Sequence, residues 1–324
     1  MGIWQIGAEE LAQSRFVVSP FIETVGALRT LVHRDPPPEV QDWYRTHVAE
    51  FRAHLTSDPQ LLPLIQALMR PRWIADFLTP PPDPADKTFR DTLQRVRQTP
   101  PRTARAILRE GSGRLPASLS GDDVPDRTAD LLEWVWEHTL RTEWPRRRLI
   151  LEADVLSRTH QLSLGGWAAA LDGLRSDMRW LGDGALRINA YDFPPRVLTG
   201  AQLCYVPCLS RRGWVTWDQD GRHAIVYQSS GALAEPTQTR SPEVLMRLIG
   251  GNRALVLTLL DQPRTTSQLL ALTQLGLGSI GGHLAVLREA GLVTRRRAGR
   301  SVVYLRTPLG ASLVGSPAPP AASP

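Results

Sequence analysis

Four arginines within six positions, Arg295, Arg296, Arg297 and Arg300, are the side chains of this sequence best suited to one chemistry, contact with a row of phosphates. A guanidinium stays charged near neutral pH and offers paired N–H donors that match two phosphate oxygens. From Ser241 to Pro324, nine arginines stand against three acids, Glu243, Asp261 and Glu289, a surplus of +6. The residues before Ser241 balance 29 basic against 29 acidic side chains. Basic charge confined to one small segment is the electrostatic footprint of nucleic-acid binding. Lys87 is the only lysine, so the preference for arginine is a bias of the whole composition and not of this segment.

The elements that must position these arginines are legible around them. Thr265-Thr266-Ser267-Gln268 has the form of a capping box, a Thr with Gln three residues on, and opens a helix through Leu269, Leu270 and Leu272. Leu275-Gly276-Leu277-Gly278 reads as a tight turn. A second helix runs from Ser279 to Ala290 and closes on Gly291. Its Ile280, Leu284 and Leu287 share one face, while Ser279, Gly282, His283 and Val286 point elsewhere. Leu292–Arg297 and Ser301–Thr307, joined at Ala298-Gly299, form a two-stranded ribbon. With the helical pattern over 242–260, this is the plan of a winged helix-turn-helix, which lays its second helix in the major groove and its ribbon along the backbone or minor groove. The candidate DNA contacts are then Thr265 and Thr266 at the first helix, Ser279, Gly282, His283 and Arg288 on the second, and Arg295, Arg296, Arg297, Arg300, Ser301 and Tyr304 on the ribbon.

Residues 250–308 resemble the ArsR-type bacterial regulators. The resemblance lies in Gly251-Asn252-Arg253-Ala254, in the run His283-Leu284-Ala285-Val286-Leu287-Arg288-Glu289-Ala290-Gly291-Leu292-Val293, and in Arg297-Ala298-Gly299-Arg300. The whole chain also resembles a longer group within that class, with a large N-terminal domain, through Arg15–Pro20, Asp76–Pro82 and Trp144-Pro145 followed by Leu151–Val155. The resemblance implies a DNA-binding transcriptional regulator acting on double-stranded DNA. One departure bears on specificity: Gly281 and Gly282 stand where such helices often carry Ser, His or Gln. Glycine offers no side-chain donor to a base edge and costs a helix about 1 kcal/mol relative to Ala. Direct readout then rests on Ser279, His283 and Arg288. The glycines also allow the helix backbone to approach DNA closely. Strong phosphate dependence and limited base discrimination follow.

Other constellations carry less. His47, Glu50 and His54 can share a helix face, and many ArsR-type regulators sense metals. No cysteine accompanies them, however, and a solvated face accounts for the spacing. Cys204 and Cys208 are four apart in a strand pattern, about 13 Å along it, too far for joint ligation. Buried apolar use accounts for both. Glu133, Glu137, His138 and Glu143 are spaced for surface pairing on one helix. No G-x-S-x-G, phosphate-loop or dinucleotide pattern occurs. The expectation is no catalysis, no cofactor and no metal. Ten tryptophans lie before the DNA-binding segment. They read mainly as core aromatics, some of which could line a pocket for an organic effector.

The fold class expected is α+β, a mainly helical N-terminal domain with a small antiparallel sheet plus a C-terminal winged helix-turn-helix. The domains expected are a regulatory and dimerising domain over 1–236, with short strands at about 185–228, a DNA-binding domain over 241–314, and a disordered tail over 315–324. Gly231–Ser241 reads as the linker. Two cysteines, no signal-peptide pattern at the start and no long apolar run point to a cytoplasmic protein without a membrane partner. The functional expectation is a homodimeric regulator, a repressor, that could sense a small-molecule effector. The alternatives are a ligand-independent architectural DNA-binding protein and an enzyme domain fused to a winged helix.

Overall fold

The computed structural model describes residues 2–37, 40–70, 73–189, 194–229, 243–261, 263–273, 275–298 and 301–315. The chain divides into two compact units, Met1–Leu151 with Gln161–Ser229, and Glu152–His160 with Ser230–Pro324. The linker expected over Gly231–Ser241 lies outside the described residues, as does the tail expected over 315–324 apart from Gly315, which ends a helix.

In the first unit, β1 (Ile3–Ile6), α1 (Ala8–Gln13) and β2 (Arg15–Phe16) lead into α2 (Pro20–His33). The Ser19 hydroxyl caps α2 by accepting the Ile22 N–H at 3.2 Å, and Pro20 starts it without wasting a donor. From Phe21 to Leu28 every residue of α2 is buried, so it is a central helix and not an amphipathic one. Around it come α3 (Gln41–Ser57), α4 (Leu61–Leu68), a hairpin of β3 (Met69–Arg70) and β4 (Trp73–Ile74), α5 (Phe89–Arg97), α6 (Pro101–Ser112) and α7 (Val124–Val135). A π-helical turn over Trp136–Leu140 joins α7 toward α8 (Trp144–Leu171). Trp144-Pro145 is thus a new helix start, with Pro145 in its first turn. Gly166 breaks α8 near its end at φ 67°, a conformation open to glycine.

The remaining strands are β5 (Arg179–Gly182), β6 (Ala185–Arg187), β7 (Arg196–Leu198), β8 (Gln202–Cys208), β9 (Trp214–Trp217) and β10 (Arg222–Gln228). The α+β class is as expected, but the small antiparallel sheet is in fact two mixed four-stranded sheets. One has the order β5-β6-β1-β7, with β1 antiparallel to β6 and parallel to β7. The other has the order β2-β8-β10-β9, with β2, β8 and β10 parallel and β9 antiparallel at the edge. Leu203–Cys208 and His223–Tyr227 are buried throughout, the continuous pattern of strands covered on both faces. Both sheets contribute to one apolar cluster with the end of α8, including Trp4, Leu171, Leu186, Tyr205 and Tyr227. A buried ion pair ties this region to the helices. Arg147 of α8 donates to Glu23 of α2 at 2.6 Å, and the other Glu23 oxygen accepts the Leu209 N–H at 3.0 Å.

The second unit holds α9 (Glu243–Ile249), α10 (Gly251–Leu259), β11 (Arg264–Thr265), α11 (Thr266–Leu272), α12 (Leu277–Glu289), β12 (Val293–Ala298), β13 (Ser301–Arg306) and α13 (Pro308–Gly315). Val256, Leu257, Leu269, Ile280, Leu284 and Leu287 are its core, each no more than 1% exposed. The ribbon is part of a three-stranded sheet, order β11-β13-β12. The segment after Thr307 is the eight-residue α13. Gly310 lets it pack, because a Cβ there would collide with the Leu292 carbonyl oxygen.

Candidate nucleic-acid interface

The capping box at α11 is present in full. The Thr265 hydroxyl accepts the Gln268 N–H at 3.2 Å, and the Gln268 side-chain oxygen accepts the Thr265 N–H at 2.6 Å. Thr265 also pairs with Val303 of β13, so the start of α11 is pinned to the wing. Thr265 and Thr266 are half-buried at this helix start. Helix α12 begins two residues earlier than expected, at Leu277. It ends in a Schellman motif, with Gly291 N–H on the Arg288 carbonyl at 3.0 Å and Leu292 N–H on the Leu287 carbonyl at 2.9 Å. Gly291 has φ 69°, as this closure requires.

Because Ile280, Leu284 and Leu287 are turned inward, α12 presents Gly278, Ser279, Gly281, Gly282, Val286 and Glu289 to solvent. His283 is half-buried, and its Nε2 lies 3.1 Å from the Ser279 hydroxyl. Two of the three expected base readers, Ser279 and His283, therefore form one polar unit, a turn apart. Among the described residues, no atom lies within 4 Å of a Cβ added at Gly281 or Gly282, so this face is bare backbone. Val286 is 42% exposed on the same helix and was missing from the sequence-derived contacts. Its position four residues after Gly282 was the available signal. An exposed apolar side chain here suits the methyl group of thymine. Arg288 is exposed at the C-terminal end.

On the wing, Arg295, Arg296 and Arg297 are all exposed and stand opposite Tyr304, Val303 and Val302 respectively. Strand alternation puts Arg295 and Arg297 on one face and Arg296 on the other. Tyr304 packs against the core of the unit, and Ser301 opens β13 opposite Ala298. Arg300 lies outside the described residues. Three other arginines of the basic segment turn to the protein itself. Arg264 is 5% exposed and donates to the Leu259 carbonyl at 2.5 Å. Arg306 donates to the Thr258 carbonyl at 3.2 Å, and burial holds its pKa below the ordinary guanidinium value. Arg253 donates to the Ile249 carbonyl at 3.3 Å. The segment's charge count thus overstates the charge that faces outward.

Two helices, a turn, a bare helix face and an exposed basic wing now stand in one order. Residues 252–295 match the family model described as bacterial regulatory protein, arsR family. The match runs from the start of α10 to the first wing arginine, and it supports DNA-binding transcription regulation for this module. No curated protein and no solved structure matches the chain.

The other sequence constellations are engaged within the first unit. Glu50 meets His138 Nδ1 at 3.0 Å. Trp134 lies between His54 and His138, with ring centroids 4.2 and 4.5 Å away. His47 is half-buried beside Trp43. The face expected to be solvated is thus partly an aromatic stack. Glu133 bonds Arg97 at 3.1 Å, Glu137 bonds Arg141 at 2.5 Å and Glu143 bonds Arg147 at 3.3 Å. Cys204 and Cys208 are buried free thiols, and burial raises the pKa of both. Among the described residues, no group of three or more His, Cys, Asp or Glu side chains could hold a metal ion. No helix among them is long and apolar enough to cross a membrane.

Proposed function

We propose that this chain is a homodimeric transcriptional repressor. Its winged helix holds double-stranded DNA, and its N-terminal unit pairs the subunits and senses a small organic effector. The observation that carries the DNA-binding part is the exposed face of α12 followed directly by three exposed wing arginines. α12 enters the major groove with Ser279, His283 and Val286 toward base edges, while Arg295, Arg296 and Arg297 neutralise phosphates. Dimerisation follows from specificity, since one such helix reads few bases and paired half-sites about 34–36 Å apart are the common answer. An effector would act by favouring one spacing of the two recognition helices, a shift between existing states. We read the N-terminal unit as regulatory and not catalytic, a reading supported by the arginine partners of Glu133, Glu137 and Glu143.

The test is genomic occupancy and duplex binding by the full chain beside an Arg295→Ala, Arg296→Ala, Arg297→Ala variant. The variant is expected to lose most occupancy and to flatten the salt dependence of binding. Unchanged binding would reject the wing as the phosphate contact. Light scattering at DNA-binding concentrations is expected to give twice the chain mass, and a monomer mass would reject the dimer.

A further inference from the structure

Arginines gather near the carboxyl ends of the parallel strands β8 and β10. Helix α2 lies against that end, for a Cβ on Gly26 would meet Cys208 Sγ and Ser210 Cβ. Three residues further along α2, the Arg29 guanidinium stands 5.8 Å from the centroid of the Trp214 indole. Arg29 is half-buried, and among the described residues it meets no carboxylate. Burial lowers its pKa, and the charges of Arg212 and Arg175 lower it further. Arg175 gives Nε and Nη2 to Asp177 at 3.0 and 2.8 Å, which leaves its buried Nη1 with no partner among the described residues. The indole Nε1 of Trp214, a residue only 6% exposed, is likewise buried with no partner among the described residues. Arg212 is exposed at the rim.

Buried donors with no acceptor cost roughly 1–3 kcal/mol each, and a fold keeps them where something else supplies the acceptor. The carboxyl ends of parallel strands are also where sheets of this kind take their ligands. We propose that Arg29, Arg175, Arg212 and the Trp214 indole N–H form a binding site for a small organic oxyanion, a carboxylate or a phosphate ester. The guanidiniums match two oxygens of either group, and the indole N–H can donate to the same centre. The surrounding groups fit an anion. His33, the nearest ionisable neighbour on α2, is held below the usual imidazole range by burial and by Arg29 and Arg212, so it adds little charge when the site is empty. Asp35, the acid near it, pairs with Arg211 at 3.2 Å. Use of this site in regulation rests on the sensing role proposed above, whereas the site itself does not.

The full chain is titrated with sodium benzoate and, separately, with inorganic phosphate, each against sodium chloride of equal ionic strength. Calorimetry reads binding, and the indole N–H resonance of Trp214, identified with Trp214→Phe, reads location. Saturable binding of one anion with a moved Trp214 signal is expected, and the anion that saturates separates the carboxylate source from the phosphate ester. Arg29→Gln and the rim variant Arg212→Gln are expected to weaken it at least tenfold while keeping the native circular dichroism. No saturable binding of either anion overturns the site, as does wild-type affinity in both folded variants. Anion binding that leaves DNA affinity unchanged upholds the site and rejects its use in sensing.

Discussion

Ser279 and His283 meet each other before they meet DNA. A hydroxyl 3.1 Å from an imidazole nitrogen holds both side chains in one orientation, so the pair is set in place before a base arrives. Each good base contact discriminates by about 1–3 kcal/mol, whereas each phosphate contact adds about 0.9 to the salt slope without reading sequence. His283→Ala is therefore expected to relax preference at one operator position and leave the salt slope alone. Arg295→Ala with Arg297→Ala is expected to lower the slope by up to about 2 and leave relative preferences alone. Arg296, on the opposite face of the ribbon, is expected to contribute separately from that pair. Titrations at several salt concentrations, on an operator and on a shuffled duplex, decide between these roles. At this scale the residue types were legible from spacing, but their freedom was not. Arg253, Arg264 and Arg306 count equally with Arg295 in a charge sum, yet they are bonded to carbonyls that only the folded unit brings near.

The α12 helix carries an unusual compromise in its two adjacent glycines. Neither meets an obstacle to a Cβ, and neither has positive φ, so alanine fits at both. Gly281→Ala with Gly282→Ala is expected to stabilise the helix by about 1 kcal/mol per site and to raise the melting temperature. The same change is expected to weaken duplex binding, because methyl groups would hold the backbone away from the groove. A variant that melts higher and binds as well as wild type would remove close approach as the reason for these residues. Gly310→Ala is expected to act oppositely on stability, since its Cβ would collide with the Leu292 carbonyl and displace α13. The helices of this unit were readable because caps, periodic leucines and Gly291 act within a few residues. β11 was not, for two residues have no period. Its place depends on pairing with β13 nearly forty residues away.

Across the molecule, the acid response should belong to the N-terminal unit. His33, His47, His54 and His223 all have pKa values held below the ordinary imidazole value, each chiefly by burial. The unfolded chain then takes up protons first as the pH falls below about 6.5, so stability is full above that point and is lost toward the lower folded values. Thermal unfolding followed by tryptophan fluorescence is expected to shift to lower temperature between pH 7 and pH 5.5. All ten tryptophans lie at or before Trp217, so the signal reports this unit. Replacing His54, which stacks on Trp134, with Gln is expected to reduce the shift. A melting temperature flat across this range would reject the burial of neutral histidines as its cause.

The winged helix, its order of helices and the basic ribbon are legible in the chain alone, because capping, helical period and strand alternation are written in neighbouring residues. Folding between distant segments set the rest: β1 and β2 join strands some 180 residues away, and the sheets are mixed. It also left Arg295, Arg296 and Arg297 exposed and placed Arg29 over the Trp214 ring, with Arg175 and Arg212 near enough for their charges to act on it. Strand partners and charge neutralisation are set by packing between distant segments, whose register no local pattern records.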